Sequence, residues 1–242
     1  MEQKNENSII EQPAAMTPEL IREQLSGLTE KQTEQFISYY NMLIERNKVM
    51  NLTRITSPQE AAQKHFADSA QGSALIPEGA LVIDVGTGAG FPGIPLKIMR
   101  PDIELVLLDS LAKRVAFLDE VCASIGIKAK TIHARAEDGA RMDGLRGHFD
   151  IALSRAVAPM NLLLELTVPF LKVGGRSLMY KSAGAAEEIA LCANAVKELS
   201  CSLTQHSFDV PWGERTIVIA EKLSKTPPKY PRKAGVPQKK PL

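Results

Sequence analysis

Residues 81–93 read LVIDVGTGAGFPG. A short apolar run carrying Asp84 passes at once into Gly86-Thr87-Gly88-Ala89-Gly90. An apolar run of this length, bounded by glycines, is the mark of a strand buried on both faces. Glycines let the chain turn tightly and let a ligand come close to the backbone. Amides in such a loop hold a carboxylate or a phosphate. A second apolar run, 103–109 (IELVLLD), ends in Asp109, 23 residues after Gly86. A carboxylate there is placed to accept both hydroxyls of a ribose. Loop and acid together imply a nucleoside-containing cofactor in an open α/β sheet.

Working outward, the pattern after Pro77 alternates strands and helices. The helix expected after Asp109 carries Leu111, Val115, Leu118, Cys122 and Ile125 on one stripe, and Gly126 closes it. Strands are expected at 129–134, 149–155, 176–181, 201–210 and 215–222, with helices at 159–171 and 184–199. Pro211-Trp212-Gly213 is too short for a crossover, so the last two strands make an antiparallel hairpin. The remaining strands form a parallel sheet with both faces covered. Before Pro77 the signals are helical. Thr29-x-x-Gln32 and Ser57-Pro58-x-Glu60 are capping boxes, and they predict helices over 30–48 and from 57 to about 75. The expected organisation is a disordered 1–16, a helical extension over 17–75, a nucleoside-binding domain over 76–223 and a Pro-rich tail over 224–242.

Composition is that of a globular protein, 44% apolar and 24% charged, which excludes a collagen, a coiled-coil rod and a wholly disordered chain. No apolar run is long enough to span a membrane, and the polar start MEQKNENSIIEQP does not read as a signal peptide. Three cysteines with no CxxC argue against a disulfide framework or a cysteine zinc site and point to a reducing cytoplasm. No histidine has metal-ligand spacing, so no metal is expected. The net charge of +1 is uneven: residues 222–242 hold seven basic and no acidic residues, against 22 basic and 28 acidic in the first 221. A basic tail on an acidic body is read either as a polyanion contact, nucleic acid first, or as a solvated terminus.

Gly88-x-Gly90-x-x-Gly93 also satisfies the dinucleotide fingerprint, which would make the chain an NAD-dependent oxidoreductase. Three features oppose that reading. Asp84 would repel a pyrophosphate but suits the ammonium of an amino-acid moiety. Pro92 and Pro95 interrupt the helix that a dinucleotide loop opens. The hairpin edge is also out of place. The D-x-G-x-G-x-G pattern with an acid after the second strand instead resembles the S-adenosylmethionine-dependent methyltransferases.

Further segments sharpen the likeness. DVGTGAGFPGIPL (84–96), LLDSLAKRVAFL (107–118), RAE (135–137), SRAVA (154–158) and TPPKYPRKAGVPQKKPL (226–242) resemble the bacterial small-subunit ribosomal RNA methyltransferase G family, also called glucose-inhibited division protein B. NLT (51–53) and HFADS (65–69) fit its N-terminal part, and the likeness runs in order over roughly 30–242. Phe66 stands where a tyrosine or other aromatic is expected, and Ala70 where a leucine is commoner. The resemblance implies a Rossmann-like class I S-adenosylmethionine-dependent methyltransferase with a mostly parallel sheet, an antiparallel C-terminal hairpin and an N-terminal helical extension. It implies methylation of N7 of one guanine in 16S ribosomal RNA, free or in the small ribosomal subunit, by a cytoplasmic protein expected to be a monomer.

Carried over by position, the cofactor site is Gly86, Gly88, Phe91, Asp109, Ala136, Glu137 and Arg155. Arg155 ends the fourth strand, and it is also the one candidate catalytic residue. Lys229, Tyr230, Arg232 and Lys233 are the RNA-binding candidates, because cations neutralise phosphates and an aromatic stacks on a base. Lys113, Arg114 and Lys181 extend a basic rim. His65 and Asp68, with Ser69, share a helix face near the site. His65 is read first as a structural hydrogen-bonder, and Asn51 as a helix-terminating residue. A non-catalytic RNA-binding protein is the third reading.

Overall fold

Successive strand residues point to opposite faces of a sheet, and here both faces are buried. Val82, Leu105, Leu107, Ile151, Leu153, Leu178 and Ile217 pack on one side. Their neighbours Ile83, Val106, Leu108, Ala152, Met179 and Val218 pack on the other. The structure is a computed structural model, and it describes residues 15–242. Its single sheet contains β1 (Leu81–Val85), β2 (Glu104–Asp109), β3 (Ala129–His133), β4 (Phe149–Arg155), β5 (Leu171–Lys181), β6 (Cys201–Val210) and β7 (Gly213–Lys222). The strand order is β3-β2-β1-β4-β5-β7-β6. The first five strands are parallel, and β7 runs antiparallel to both β5 and β6. The expected hairpin is present, with β7 inside and β6 at the edge.

The order reverses between β1 and β4. The chain runs outward through β2 and β3, then returns to lay β4 on the other side of β1. A crevice opens at such a switch point, outside the carboxyl ends of the strands. The glycine loop leaves β1 there, and Arg155 ends β4 there.

On the first face lie Glu30–Met50, Gly93–Met99 and Ala112–Ser124. The first of these begins at the Thr29/Gln32 capping box and buries Phe36, Tyr39, Tyr40 and Leu43. Asn51, left-handed at φ 51°, ends it. Gly93–Met99 opens despite Pro92 and Pro95, because proline is tolerated in a first turn. On the second face lie Met160–Thr167, Ala193–Leu199 and the C-terminal tail.

Four expectations are corrected. The single helix from 57 to 75 is Pro58–Ala61, a π-helical Ala62–Ala67, Asp68–Ala70 and a 3-10 turn at Ser73–Leu75. The wider π turn inserts a residue, so His65, Phe66 and Asp68 are all buried. The helix over 184–199 is two helices, Ala185–Ala190 and Ala193–Leu199. Leu111 is exposed because it is the extended residue before its helix and so lies off the stripe. Finally, the tail is not a solvated terminus, one of the two readings of its charge. Tyr230, Pro231 and Pro237 are buried, and Val236–Lys239 forms a helical turn. Lys222, the first tail cation, is also buried and donates to the carbonyls of Val168 (3.3 Å) and Leu171 (2.7 Å).

Of the segment expected to be disordered, residues 1–14 lie outside the described residues. Met16 is buried in the core, so the ordered chain starts before residue 17.

Candidate donor site at the sheet switch point

The glycine loop is tied back to β2. The amides of Gly86 and Thr87 donate to the Leu108 carbonyl at 2.8 and 3.2 Å. The Gly88 amide donates to Asp109 Oδ2 at 2.9 Å, and the Leu111 amide to Asp109 Oδ1 at 2.9 Å. Asp109 thus fastens the loop, with the Arg114 guanidinium 3.5 Å away. Each carboxylate oxygen keeps a second lone pair for a ligand hydroxyl. Gly86 has φ 71°, and a Cβ there would meet the Val157 side chain at 3.0 Å, so the loops after β1 and β4 touch at this residue.

Asp84 is fully buried. Its Oδ2 accepts from Thr87 Oγ1 (2.7 Å) and the Gly93 amide (2.9 Å). A Cβ on Gly93 would lie 2.8 Å from that oxygen, which requires glycine. Asp84 Oδ1 has no partner. Burial pushes this carboxyl up to about 6, against the pull of Thr87 and Gly93. A buried acceptor without a partner is costly, and a cationic group reaching the loop would relieve it.

On the N-terminal side, Arg155 closes the site. Its guanidinium lies 4.8 Å from the Phe91 ring centroid. Nη1 donates to the carbonyls of Lys64 (3.2 Å) and His65 (3.4 Å) and lies 3.4 Å from Asp68 Oδ2. Nη2 faces His65 Nδ1 at 3.3 Å, which leaves Nε2–H of His65 to donate to Thr53 Oγ1 at 2.8 Å. Burial, helped by Arg155, pushes the His65 pKa down to about 3, so the ring is neutral. It stacks on Phe91 at 4.3 Å. Asp68 also accepts from Arg215 Nε at 2.8 Å. Tyr39 holds the loop from below, its hydroxyl donating to the Ala89 carbonyl at 2.6 Å.

On the other side of the loop is a cavity of about 540 Å³, lined by Gly86, Leu108, Ser110, Ala136, Glu137 and Val157, with Gln238 and Pro241 from the tail. It lies over the carboxyl ends of β1, β2 and β3. Glu137 is buried, and its Oε1 accepts from the Gly235 amide at 3.0 Å. A larger cavity of about 900 Å³ lies against Leu81, Glu104, Ala129 and Phe149, where the strands begin, far from the glycine loop. The cavity beside the glycine loop is the better candidate because Gly86 of the loop lines it together with Ala136 and Glu137 at the carboxyl ends of the strands. Among the described residues, no group of three His, Cys, Asp or Glu is placed to hold a metal.

This arrangement of sheet, glycine loop and acid defines a Rossmann-like class I methyltransferase. A methyltransferase structure from Pyrococcus furiosus superposes with a TM-score of 0.55 at 14% identity, covering 79% of this chain and all of the other, which shows the shared fold. Residues 32–212 match the family described as rRNA small subunit methyltransferase G. "Ribosomal RNA small subunit methyltransferase G" of Streptococcus pyogenes serotype M3 is 43% identical over 94% of this chain and 100% of its own length. That of Desulfitobacterium hafniense is 45% identical over 94% of this chain and 95% of its own length. The chain belongs to the rRNA small subunit methyltransferase G family.

The structure brings Gly86, Ala136 and Glu137 to one cavity, and Gly88 and Asp109 to its loop edge. Phe91 and Arg155 meet on the far side of the loop. The tail candidates sit elsewhere. Lys229 pairs with Glu198 at 2.7 Å, the buried Tyr230 donates to the same carboxylate at 2.7 Å, and Arg232 grips the buried Glu165. Lys233 is exposed. Of the rim cations, Lys181 pairs with Glu188 at 2.7 Å. Sequence reading missed Glu165, Arg215, Gln238 and Pro241. Glu165 carried a signal, as the one acid in the apolar run MNLLLELT (160–167).

Proposed function

We propose that this chain, an rRNA small subunit methyltransferase by family, methylates N7 of a guanine in 16S ribosomal RNA with S-adenosylmethionine as donor. The observation that carries the N7 assignment is that the titratable groups around Arg155, where the base would enter, are spent on structure. His65 is neutral with both nitrogens engaged, Asp68 is held by Arg155 and Arg215, and burial raises the pKa of Tyr39 and Tyr180. Guanine N7 has a free lone pair and no proton, so it needs no general base.

The donor's chemistry is an electrophilic methyl on a sulfonium. The residues present suit it: Asp109 accepts the ribose hydroxyls, the unpartnered Asp84 Oδ1 suits the ammonium, and the cavity by Ala136 suits the adenine. Arg155 fixes Phe91 and the turn over residues 64–69, and contributes by positioning. Alignment of this kind is worth about 7–11 kcal/mol.

A second cavity of about 330 Å³ opens beyond Arg155, lined by Asp68, Lys181, Phe208 and Arg215. Its cations suit the O6 acceptor of a guanine and leave the N7 lone pair free for the methyl group, which supports it as the base site. RNA contact by the tail rests on the exposed Lys225, Lys233, Lys239 and Lys240. The test is to compare 16S RNA from cells with and without the chain by cleavage chemistry specific for N7-methylguanine. A methyl placed on another atom of the base or on the ribose would sink the assignment.

A further inference from the structure

We propose that the end of the chain, Arg232–Pro241, is a wall of the donor site, so that S-adenosylmethionine affinity depends on a segment whose composition reads as an RNA tail. This rests on the donor-site reading above.

The segment is anchored on both sides of the cavity. The Arg232 amide donates to Glu165 Oε1 at 2.7 Å, and Arg232 Nε to Oε1 and Oε2 at 2.9 and 3.1 Å. Glu165 has no exposure, and it sits between Leu162 and Leu166, neighbours in its helix that line the cavity. Three residues on, the Gly235 amide takes Glu137 Oε1, after β3. The tail therefore bridges the helix after β4 to the turn after β3. Arg146 holds its start through the carbonyls of Thr226 (3.2 Å) and Pro227 (3.3 Å).

Beyond these anchors the chain turns into the cavity. Pro237 is buried, and Gln238 and Pro241 line the opening opposite Gly86 and Ala136. Lys239 and Lys240 are exposed and do not line it. Glu137 spends one oxygen on the tail, so part of the polar edge facing an adenine passes to Gln238. A carboxamide offers an NH2 donor group beside a carbonyl acceptor, the pair that an adenine edge requires.

Calorimetric titration with S-adenosylmethionine and S-adenosylhomocysteine tests this, using wild type, a deletion of residues 237–242, Gln238→Ala, and Lys239→Ala with Lys240→Ala. The deletion keeps Tyr230, Arg232 and Gly235, so the anchors stay. It should weaken donor binding about ten-fold or more, or 1.4 kcal/mol. Gln238→Ala should cost about three-fold, the low end for one lost hydrogen bond. The double lysine variant should keep wild-type donor affinity and lower the salt slope of RNA binding by about 0.7 per lost phosphate contact. Wild-type donor affinity in the folded deletion would overturn the proposal. If the deletion melts below the assay temperature, Gln238→Ala decides, because that side chain is exposed and its loss leaves the core intact. A wild-type chain that binds no donor overturns the underlying reading too; an equal deletion beside a binding wild type overturns this one alone.

Discussion

Two flanks enclose the glycine loop, and they are built by opposite means. The N-terminal flank, residues 29–71, is an apolar wall: Phe36, Tyr39 and Phe66 pack ring against ring and on Phe91 of the loop, and Arg155 reaches across to fasten it. The C-terminal flank, residues 224–242, has few apolar groups and is held by paired charges and amides on Glu165, Glu198 and Glu137. Burial of apolar area is non-directional and tolerant. A buried ion pair is directional, and breaking it leaves a charge without water. The C-terminal flank should therefore be the more sensitive to a single substitution.

The largest expected effect follows from that contrast. Arg232→Ala leaves Glu165 buried without a counter-charge, held only by the amide of residue 232, and should cost about 3–5 kcal/mol of stability, toward the low end because Arg232 is partly exposed. Urea denaturation at neutral pH measures it, and a loss under 1 kcal/mol would show that the pair is not what holds the tail.

The N-terminal flank is probed by pH. Unfolded His65 takes up a proton near pH 6.5, whereas the folded ring resists it down to about 3. The unfolded chain thus binds more protons in this window, and stability falls as pH falls, by about 3 kcal/mol at about pH 4. Asp84 acts in the opposite sense, because its folded carboxyl is protonated near 6 and its unfolded one near 4. The clean measurement is the difference in acid-range stability between wild type and His65→Gln, which should lack the His65 component. Parallel curves would contradict the buried, neutral histidine.

Between the flanks, Asp109→Ala should weaken S-adenosylmethionine binding by about 1.5–3 kcal/mol, through loss of charge-assisted bonds to the ribose and slackening of the loop at Gly88. Calorimetry at neutral pH reads this directly. The smallest effect concerns Asp84. Donor affinity should rise with pH through about 6, by at most ten-fold per unit, and level off above it as the carboxylate forms. Asp84→Asn should flatten that profile, and an unchanged profile would free Asp84 from any role with the ammonium.

The sheet was legible because its strands are short apolar runs, and the loop because glycines and two acids stand at fixed distances. Even the hairpin followed from the Pro211-Trp212-Gly213 turn, which is too short for a crossover helix. The tail was not legible: seven cations and five prolines look alike whether solvated or paired, and the pairing partners lie 30 to 100 residues away. The π turn at Ala62–Ala67 was hidden for another reason. The Ser57 cap marks where a helix starts, but the widened turn packs against Arg155 and Phe91, which only the tertiary fold brings there. His65 shows both sides. Read first as a structural hydrogen-bonder, it is one, yet it also places the ring on which Phe91 rests.

On the proposed reading, the donor's adenosine lies in the cavity between Gly86, Ala136 and Gln238, with its ribose on Asp109 and its amino group toward Asp84. A crystal structure of the chain with S-adenosylhomocysteine measures this in one step. The predicted result is adenine against Ala136 with the tail closed over it, and the amino group within hydrogen-bonding distance of the loop at Asp84. Adenosine lodged instead beyond Arg155, between Lys181 and Arg215, would contradict it.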